Sequence, residues 1–390
     1  MKTRRPVIGI PFNYDDGWIG GVYYIKNLIS ALNLLGADEK PEIWMLSNKR
    51  ESFDFIRKST GYPHLNWLPP ALLTGIDGGI SRKVRLLSRL APWFVKKQVR
   101  FDMIFPYPID TKLQQTVCWI PDFQDKRMPD FFKAEELEAR TRQHRDYIEN
   151  YRHLVLSSEA ARQDFEEFYP DAKVNRYVVH FAVFEPREAA VSEQAVLEKY
   201  ALPGRFFYCP NQFWIHKNHD LVIRAVSLLK QRGVDVTVVF SGKEHDPRAP
   251  EHTSRLKAKV AAEGLESNVR FLGFIPREDQ MVVFRKAISI IQPSLFEGWS
   301  TVIEDAKSVS QYVLASRIPA NVEQANRNIE FFDPFKAEEL AHRMEQYAQT
   351  DPVRETIDYT VYQKEFAEAF INVIRSVMRA NSLAAGELDK

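Results

Sequence analysis

Short runs of β-branched and aromatic residues alternate along this chain with longer stretches whose apolar positions recur at helical spacing. Residues 7–11 (VIGIP) read as a strand, and the stretch opened by Gly20 and Gly21 reads as a helix with Val22, Ile25, Leu28, Ile29 and Leu32 on one stripe. Residues 43–46, 101–105, 117–120 and 154–157 predict further strands, with helical segments between most of them. Past Val183 the pattern changes. The segment FEPREAAVSEQAVLEKYALPG is polar, poor in strand formers and ends on a Pro-Gly turn signal, which predicts a linker over residues 185–204. A second alternating series follows: strand 206–209, helix 219–231, strand 234–240, a helix to 263, strand 269–272, a helix near 278–286, strand 288–292, helix 302–309, and strands 313–316 and 330–332. A last helical stretch, about 352–379, has the length to cross back over the first half.

Strands that alternate with helices imply parallel sheets with helical crossovers. The fold class expected is therefore α/β, with two Rossmann-like doubly wound domains, residues 1–184 and 205–350, facing a central cleft. Residues 351–390 would form the return helix. Sites in such folds gather at the carboxyl ends of strands. The 390 residues suit two domains, and 45% hydrophobic with 12% aromatic residues suffices for two cores and excludes global disorder. With 53 Lys and Arg against 52 Asp and Glu the net charge is +1, which argues against a nucleic-acid partner bound through overall positive charge. The basic N-terminus lacks the apolar run of a secretory signal, and no segment approaches the roughly 20 apolar residues that span a bilayer. Cys118 and Cys209 each sit in an apolar, strand-like run and read as buried free thiols of a reducing cytoplasm.

Three segments could carry chemistry. Gly20 and Gly21, at the start of a helix, would let backbone amides approach an anion, although the G-x-G-x-x-G dinucleotide fingerprint is absent. Asn211 to Asn218 (NQFWIHKN) place Lys217 between the end of a strand and the start of a helix, where it could meet a phosphate or simply face water; His216 reads as a loop or packing histidine. Most specific is PSLFEGWSTVIEDA, residues 293–306, after the apolar strand ISIIQ. Gly298 permits a tight turn, Ser300 or Thr301 can cap the next helix, and free amides would face the cleft. Thr301 to Glu304 fits a capping box, which leaves Glu297 and Asp305 as carboxylates free to accept hydrogen bonds from sugar hydroxyls.

EGWSTVIEDAKSVSQYVLAS resembles the glutamate-glycine-rich motif of the retaining GT-B glycosyltransferases of family 4, which include bacterial mannosyl-, glucosyl- and rhamnosyltransferases of surface polysaccharides. Gly20-Gly21 is similar to that family's N-terminal phosphate loop and Lys217-Asn218 to its lysine-asparagine pair; WIPDFQDKRMPDFF and LSSEAARQDFEEFYP are similar to further family segments. The resemblance implies an acceptor-binding N-terminal half and a donor-binding C-terminal half. It implies that Gly21 lets the backbone approach the donor phosphate and that Lys217 neutralises the diphosphate leaving group. By the same resemblance Glu297 holds sugar hydroxyls, the amides of Gly298, Trp299, Ser300 and Thr301 contact sugar and phosphate, and Asp305 holds ribose hydroxyls. Three positions depart from the family pattern. The second acidic position is Asp305 rather than Glu, Asn211 or Gln212 stands where an arginine is common, and Pro121-Asp122 replaces the usual histidine-containing acceptor loop, leaving Asp122 as an acceptor-side group or a turn cap.

No D-x-D triplet occurs, so a metal-independent enzyme without cofactor is expected. Residues 82–100 hold seven basic side chains (Arg82, Lys83, Arg85, Arg89, Lys96, Lys97, Arg100) and no acidic ones, interleaved with Leu86, Leu87, Leu90, Trp93 and Phe94 and broken by Pro92. Such a stretch can rest on an anionic membrane or serve as an ordinary crossover helix. The resulting expectation is a cytoplasmic hexosyltransferase, at the inner face of the membrane, that moves sugar from a nucleotide diphosphate donor, GDP-mannose ahead of UDP-sugars, to a glycan or lipid-linked glycan. The alternatives are a silent homologue that binds nucleotide or glycan as a subunit, and a nicotinamide oxidoreductase, which would lack its glycine fingerprint.

Overall fold

The structure, a computed structural model, describes residues 4–15, 19–69, 99–109, 115–185 and 191–388. The basic stretch from Arg82 onward, all but Arg100, lies outside the described residues, as does part of the 185–204 segment.

Both halves are doubly wound parallel sheets, as the alternation predicts. In the N-terminal half β1 (Val7–Pro11) pairs with β2 (Glu42–Leu46) and β4 (Met103–Ile104), and β2 pairs with β3 (Leu65–Leu68). A parallel bridge between Ile104 and Thr116 continues this sheet towards β5 (Val117–Ile120), β6 (His153–Leu156) and β7 (Asn175–Val178), giving the order β3-β2-β1-β4 followed by β5-β6-β7. The C-terminal half forms one six-stranded sheet. Its strands are β8 (Phe207–Cys209), β9 (Val238–Phe240), β10 (Val269–Phe271), β11 (Ile290–Gln292), β12 (Val313–Ser316) and β13 (Ile329–Phe332), in the order β10-β9-β8-β11-β12-β13. The central strands are buried on both faces, which is why VIGIP and ISIIQ read as near-continuous apolar runs. The order reverses beside β1 and again beside β8, so each half has a switch-point crevice at the carboxyl ends of its strands.

The helices, in chain order, are α1 (Ile19–Leu32), α2 (Arg50–Thr60), α3 (Gln124–Arg127), α4 (Ala134–Asn150), α5 (Glu159–Phe168), α6 (Glu193–Lys199), α7 (His219–Gln231), α8 (His252–Ala262), α9 (Arg277–Lys286), α10 (Thr301–Ser308), α11 (Pro319–Glu323), α12 (Ala337–Gln346) and α13 (Thr360–Leu388). Two differences from the sequence expectation have local causes. The polar segment between the halves contains α6, capped by Ser192, and Val196 packs it onto the C-terminal core. Helix also begins later than residue 352, because residues 351–358 are spent as an extended strap. Glu355 exchanges two hydrogen bonds with Asn328, Ile357 N–H donates to Ser310 Oγ, and Arg354 donates to the carbonyls of Ala287 and Ile288. Beyond the strap, α13 leaves the C-terminal half and buries Phe366, Phe370, Ile374 and Val377 in the core with Ile8, Ile10, Leu28 and Met103.

One carboxylate joins the strap to the site. Glu304 is 1% exposed; its Oε1 accepts from Lys307 Nζ (2.9 Å) and Gln324 Nε2 (2.8 Å), and its Oε2 from Tyr359 Oη (2.7 Å). The same phenol accepts from the N–H of Val183, near the end of the N-terminal half. Cys118 and Cys209 are free and buried, and burial pushes the Cys209 thiol up to about 12.

Tyr359→Phe is expected to leave Glu304 short of a donor and the Val183 amide without an acceptor. The cost is about 1–3 kcal/mol, to be measured as a lower urea midpoint with unchanged slope.

Candidate active site

A cavity of about 350 Å³ lies between α1 of the N-terminal half and the switch point of the C-terminal sheet, at the ends of β8 and β11. The loop after β8 turns through a 3-10 segment, Ile215–Lys217, and Asn218 follows in the left-handed region (φ 56°), a conformation its short polar side chain tolerates. Asn218 Nδ2 donates to the carbonyls of Pro293 and Pro334, and the Leu295 N–H donates to the His216 carbonyl. These bonds lash the lysine loop to the loop after β11. They bring Lys217 Nζ to 2.6 Å from Glu297 Oε1, with both side chains mostly buried. His216 is 5% exposed, and burial holds its pKa well below the ordinary range, so it packs as a neutral ring.

Gln292, the fully buried last residue of β11, organises this cluster. Its Nε2 donates to Glu297 Oε1 (2.8 Å) and Ser300 Oγ (2.9 Å), while its Oε1 accepts from Asn211 Nδ2 (2.8 Å). The sequence offered a signal for it, a polar residue closing an otherwise apolar strand just before Pro293.

Ser300, not Thr301, caps α10: its Oγ accepts from the Ile303 N–H, and Thr301 is the exposed first residue of the helix. The expected capping box therefore does not form. Glu304 is drawn instead to Lys307, Gln324 and Tyr359, while Gln324 grips both the N–H and the carbonyl of Ser300. The first turn of α10 is thereby fixed at the cavity wall, where Ser300, Thr301 and Val302 lie.

Neither acidic residue expected to be free is unpaired. Glu297 holds Lys217, and Asp305, 3% exposed, takes a two-pronged bond from Arg277 at the start of α9. Burial raises the Asp305 pKa and the guanidinium opposes that rise. The departure from the family pattern at Asn211 and Gln212 suggested a missing cation; Arg277 puts a guanidinium into the cavity wall from a different strand end. Sequence reasoning passed over it because PRED reads as an ordinary polar helix start.

The remaining predicted residues are divided. Gly20 and Asn211 line the cavity together with Lys217, Glu297, Ser300, Thr301 and Asp305, whereas Gly21 lines a separate pocket of about 200 Å³ at the ends of β1, β4 and β5. Trp299 turns away from the cavity: its indole N–H donates to the Phe181 carbonyl and its ring stacks on His180 at 4.2 Å. His180 bonds Glu323, whose carboxylate also takes the Glu159 and Ala160 amides at the start of α5, so Trp299 belongs to a joint between the halves. Asp122 is outside the cavity lining and accepts from the Gln124 N–H as a turn cap; burial pushes its carboxyl up, with Glu297 and Lys217 among the charges it feels. Helix α1 adds residues the sequence did not single out, Tyr23 and Asn27.

Comparison with known proteins agrees with this geometry. Residues 198–364 match the family model described as Glycosyl transferases group 1. The lipopolysaccharide core biosynthesis mannosyltransferase LpcC of Rhizobium leguminosarum bv. viciae is 32% identical over 154 residues, 38% of this chain and 41% of that protein. Mannosylfructose-phosphate synthase of Agrobacterium fabrum is 26% identical over 159 residues, 39% of this chain and 35% of that one. The matched stretch thus spans well under half the length of these curated relatives. Several solved structures match nearly the whole chain, among them the following two. Anabaena HepE in complex with UDP and glucose has a TM-score of 0.60 at 14% identity, covering 98% of this chain and all of that one. WaaG, a glycosyltransferase involved in lipopolysaccharide biosynthesis, has a TM-score of 0.57 at 12% identity, with 95% of both chains covered. These likenesses show the two-domain GT-B fold.

A methyl at position 298 would sit 2.4 Å from the Pro121 carbonyl oxygen and 2.8 Å from Asp122 Cβ, so only glycine lets this loop touch the N-terminal half. Gly298→Ala is expected to destabilise the protein by about 1–3 kcal/mol in thermal unfolding. Gly20→Ala, whose added carbon meets nothing within 4 Å, leaves the transition in place.

Proposed function

We propose that this chain, whose residues 198–364 match the Glycosyl transferases group 1 model, is a retaining hexosyltransferase on a GT-B frame. It takes its sugar from a nucleotide diphosphate donor and passes it to a glycan or lipid-linked glycan of a surface polysaccharide. The observation that carries this reading is the cluster of Lys217, Glu297 and the first turn of α10 on one wall of the cavity between the halves. An ammonium and a helix N-terminus together favour a diphosphate. Glu297 lies beside them to receive sugar hydroxyls once the diphosphate draws the ammonium away.

In the reaction, the bond from the anomeric carbon to the leaving phosphate oxygen breaks as the acceptor hydroxyl attacks the same face. The departing phosphate takes the acceptor's proton. Lys217 and the α10 amides stabilise the charge that develops on the diphosphate, in place of a metal ion. The joint at Gly298 keeps both halves over the reacting atoms and limits water. Likeness to the mannosyltransferase of Rhizobium leguminosarum supports GDP-mannose as donor, and HepE, solved with UDP and glucose, keeps a UDP-sugar as the second choice. The acceptor enters from the N-terminal half, with Asp122 at the junction. No helix of the described residues is long and apolar enough to cross a membrane. The enzyme would work in the cytoplasm, with residues 82–100 resting on the anionic inner face of the membrane.

Lys217→Gln keeps a hydrogen-bond donor for Glu297 but removes the positive charge. Turnover, followed as nucleoside diphosphate release, is expected to fall about 10²–10³-fold in protein shown by circular dichroism to be folded at the assay temperature; near-normal turnover would reject the role. A thermal-shift series with GDP, UDP, dTDP and ADP identifies the base, since a ligand specific for the folded chain raises its transition. No shift with any of the four counts against a nucleotide-sugar donor.

A further inference from the structure

The loop after β9 carries a further link between the halves. Asp246 is 3% exposed, and both oxygens of its carboxylate are bound: Oδ2 accepts from the Ile215 N–H (3.2 Å) and Oδ1 from the Arg248 N–H (2.9 Å). Ile215 is the first residue of the 3-10 segment that ends on Lys217, and the Lys217 N–H closes that turn on the Trp214 carbonyl (2.9 Å). The Asp246 loop therefore helps to set where the lysine stands. Arg248 reaches from the same loop to the N-terminal half. Its guanidinium carbon lies 5.4 Å from the centre of the Trp214 ring, a residue of the cavity wall, and 4.6 Å from the centre of the Phe132 ring. Phe132 follows the 3-10 turn Pro129–Phe131 of the N-terminal half, where Arg140 of α4 lies 5.0 Å from the same ring centre. The Arg248 side chain is only 15% exposed, with Nε 3.7 Å from Asp246 Oδ1. A guanidinium so far out of water is drawn to aromatic faces more strongly than one at the surface.

We propose that Arg248 is a positioning residue that couples the N-terminal half to the lysine that meets the diphosphate. Phe132 holds the guanidinium beside Trp214, the loop bearing Arg248 holds Ile215 through Asp246, and the 3-10 segment then presents Lys217 to the cavity. Arg248 itself touches neither phosphate nor sugar: its charge is matched by Asp246, and its plane is engaged by two aromatic rings. The inference rests on the nucleotide-sugar reading of the cavity. It also gives the Lys217–Glu297 pair a symmetry that the motifs do not show. Glu297 is tied to the N-terminal half by its neighbour Gly298, which abuts Pro121, and Lys217 by the contact of Arg248 with Phe132. Each member of the pair thus depends on the N-terminal half through its own loop, so the lysine takes its diphosphate-binding position only with that half in place.

Coupling of this kind is established by measurement of the paired variants. The test is calorimetry on the full chain with GDP and UDP, for the wild-type protein, Arg248→Met, Phe132→Leu and their double variant, and for Lys217→Gln alone and combined with each single variant. With the nucleotide that binds, Arg248→Met and Phe132→Leu are each expected to weaken affinity about 3- to 30-fold. The double variant should lose no more than the larger single loss, and in the Lys217→Gln background each substitution should change affinity by less than about twofold. A merely structural contact would cost the same with and without Lys217. That result, or a Phe132→Leu protein that binds as the wild type does, overturns the inference and leaves the nucleotide-sugar reading standing. A Lys217→Gln protein of wild-type affinity removes the lysine from the diphosphate site and the inference with it, whereas a wild type that binds neither nucleotide defeats the nucleotide-sugar reading itself.

Discussion

The buried carboxylate of Glu304 is the constraint on which the rest of the cleft depends. A carboxylate at this depth is stable only if its oxygens are met by donors, and the three that meet it come from three different places. Lys307 lies on the same helix, Gln324 follows α11, and Tyr359 ends the strap. Two of these donors have a second task. Gln324 fixes the backbone of Ser300, and Tyr359 accepts from Val183 across the boundary between the halves. The requirement to satisfy one charge therefore sets the position of the α10 N-terminus, the direction of the strap and the entry of α13 into the N-terminal core.

With α10 fixed, the loop before it has little freedom. Gln292 holds Glu297 from the strand side, and Gly298 lets the loop backbone press on Pro121 and Asp122. The stack of Trp299 on His180, with Glu323 behind it capping α5, closes the other side of the same joint. In the motif EGWSTVIED, glycine, tryptophan and the middle glutamate thus serve the contact between halves and the helix cap, while Glu297 and Asp305 face the cavity.

What the sequence made legible follows from what is local. Burial on both faces writes apolar runs into central strands, so β1, β8, β11 and β12 and the full extent of α7 could be read directly. The strand β7 could not. Its residues NRYV sit at a sheet edge, half exposed, and lack the alternation of a buried strand. At the site, Lys217, Glu297 and Ser300 stood out because motif and helix start coincide in the chain. Arg277 and Gln324 did not, because each acquires its meaning from a partner at least 20 residues away, and Asn27 did not, because only the fold brings α1 to the cavity. The capping box failed for the same reason. Local spacing allowed Thr301 to pair with Glu304, but three distant donors bind that carboxylate, and a local pattern carries no record of them.

A net charge of +1 gives no hint of this arrangement, yet it is consistent with it: the charged side chains that face the cavity are paired one to one. Pairing gives each of Lys217, Glu297, Arg277 and Asp305 a partner at low exposure without a ligand, where an unpaired buried charge would cost several kcal/mol (about 3–5). It also makes binding an exchange. On the proposed reading a diphosphate competes with Glu297 for the Lys217 ammonium, which gives that carboxylate one of its three N–H groups, and sugar hydroxyls satisfy the carboxylate as the ammonium is drawn away. A nucleoside diphosphate without its sugar supplies the first half of that exchange and not the second, so the intact donor meets both needs of the site at once. Arg277 and Asp305 are held by a two-pronged bond, and the guanidinium keeps its carboxylate while N–H groups remain to donate. One pair is held by a single bond and the other by two parallel ones, so a ligand separates the first more readily than the second, as the geometry of an ammonium against that of a guanidinium dictates.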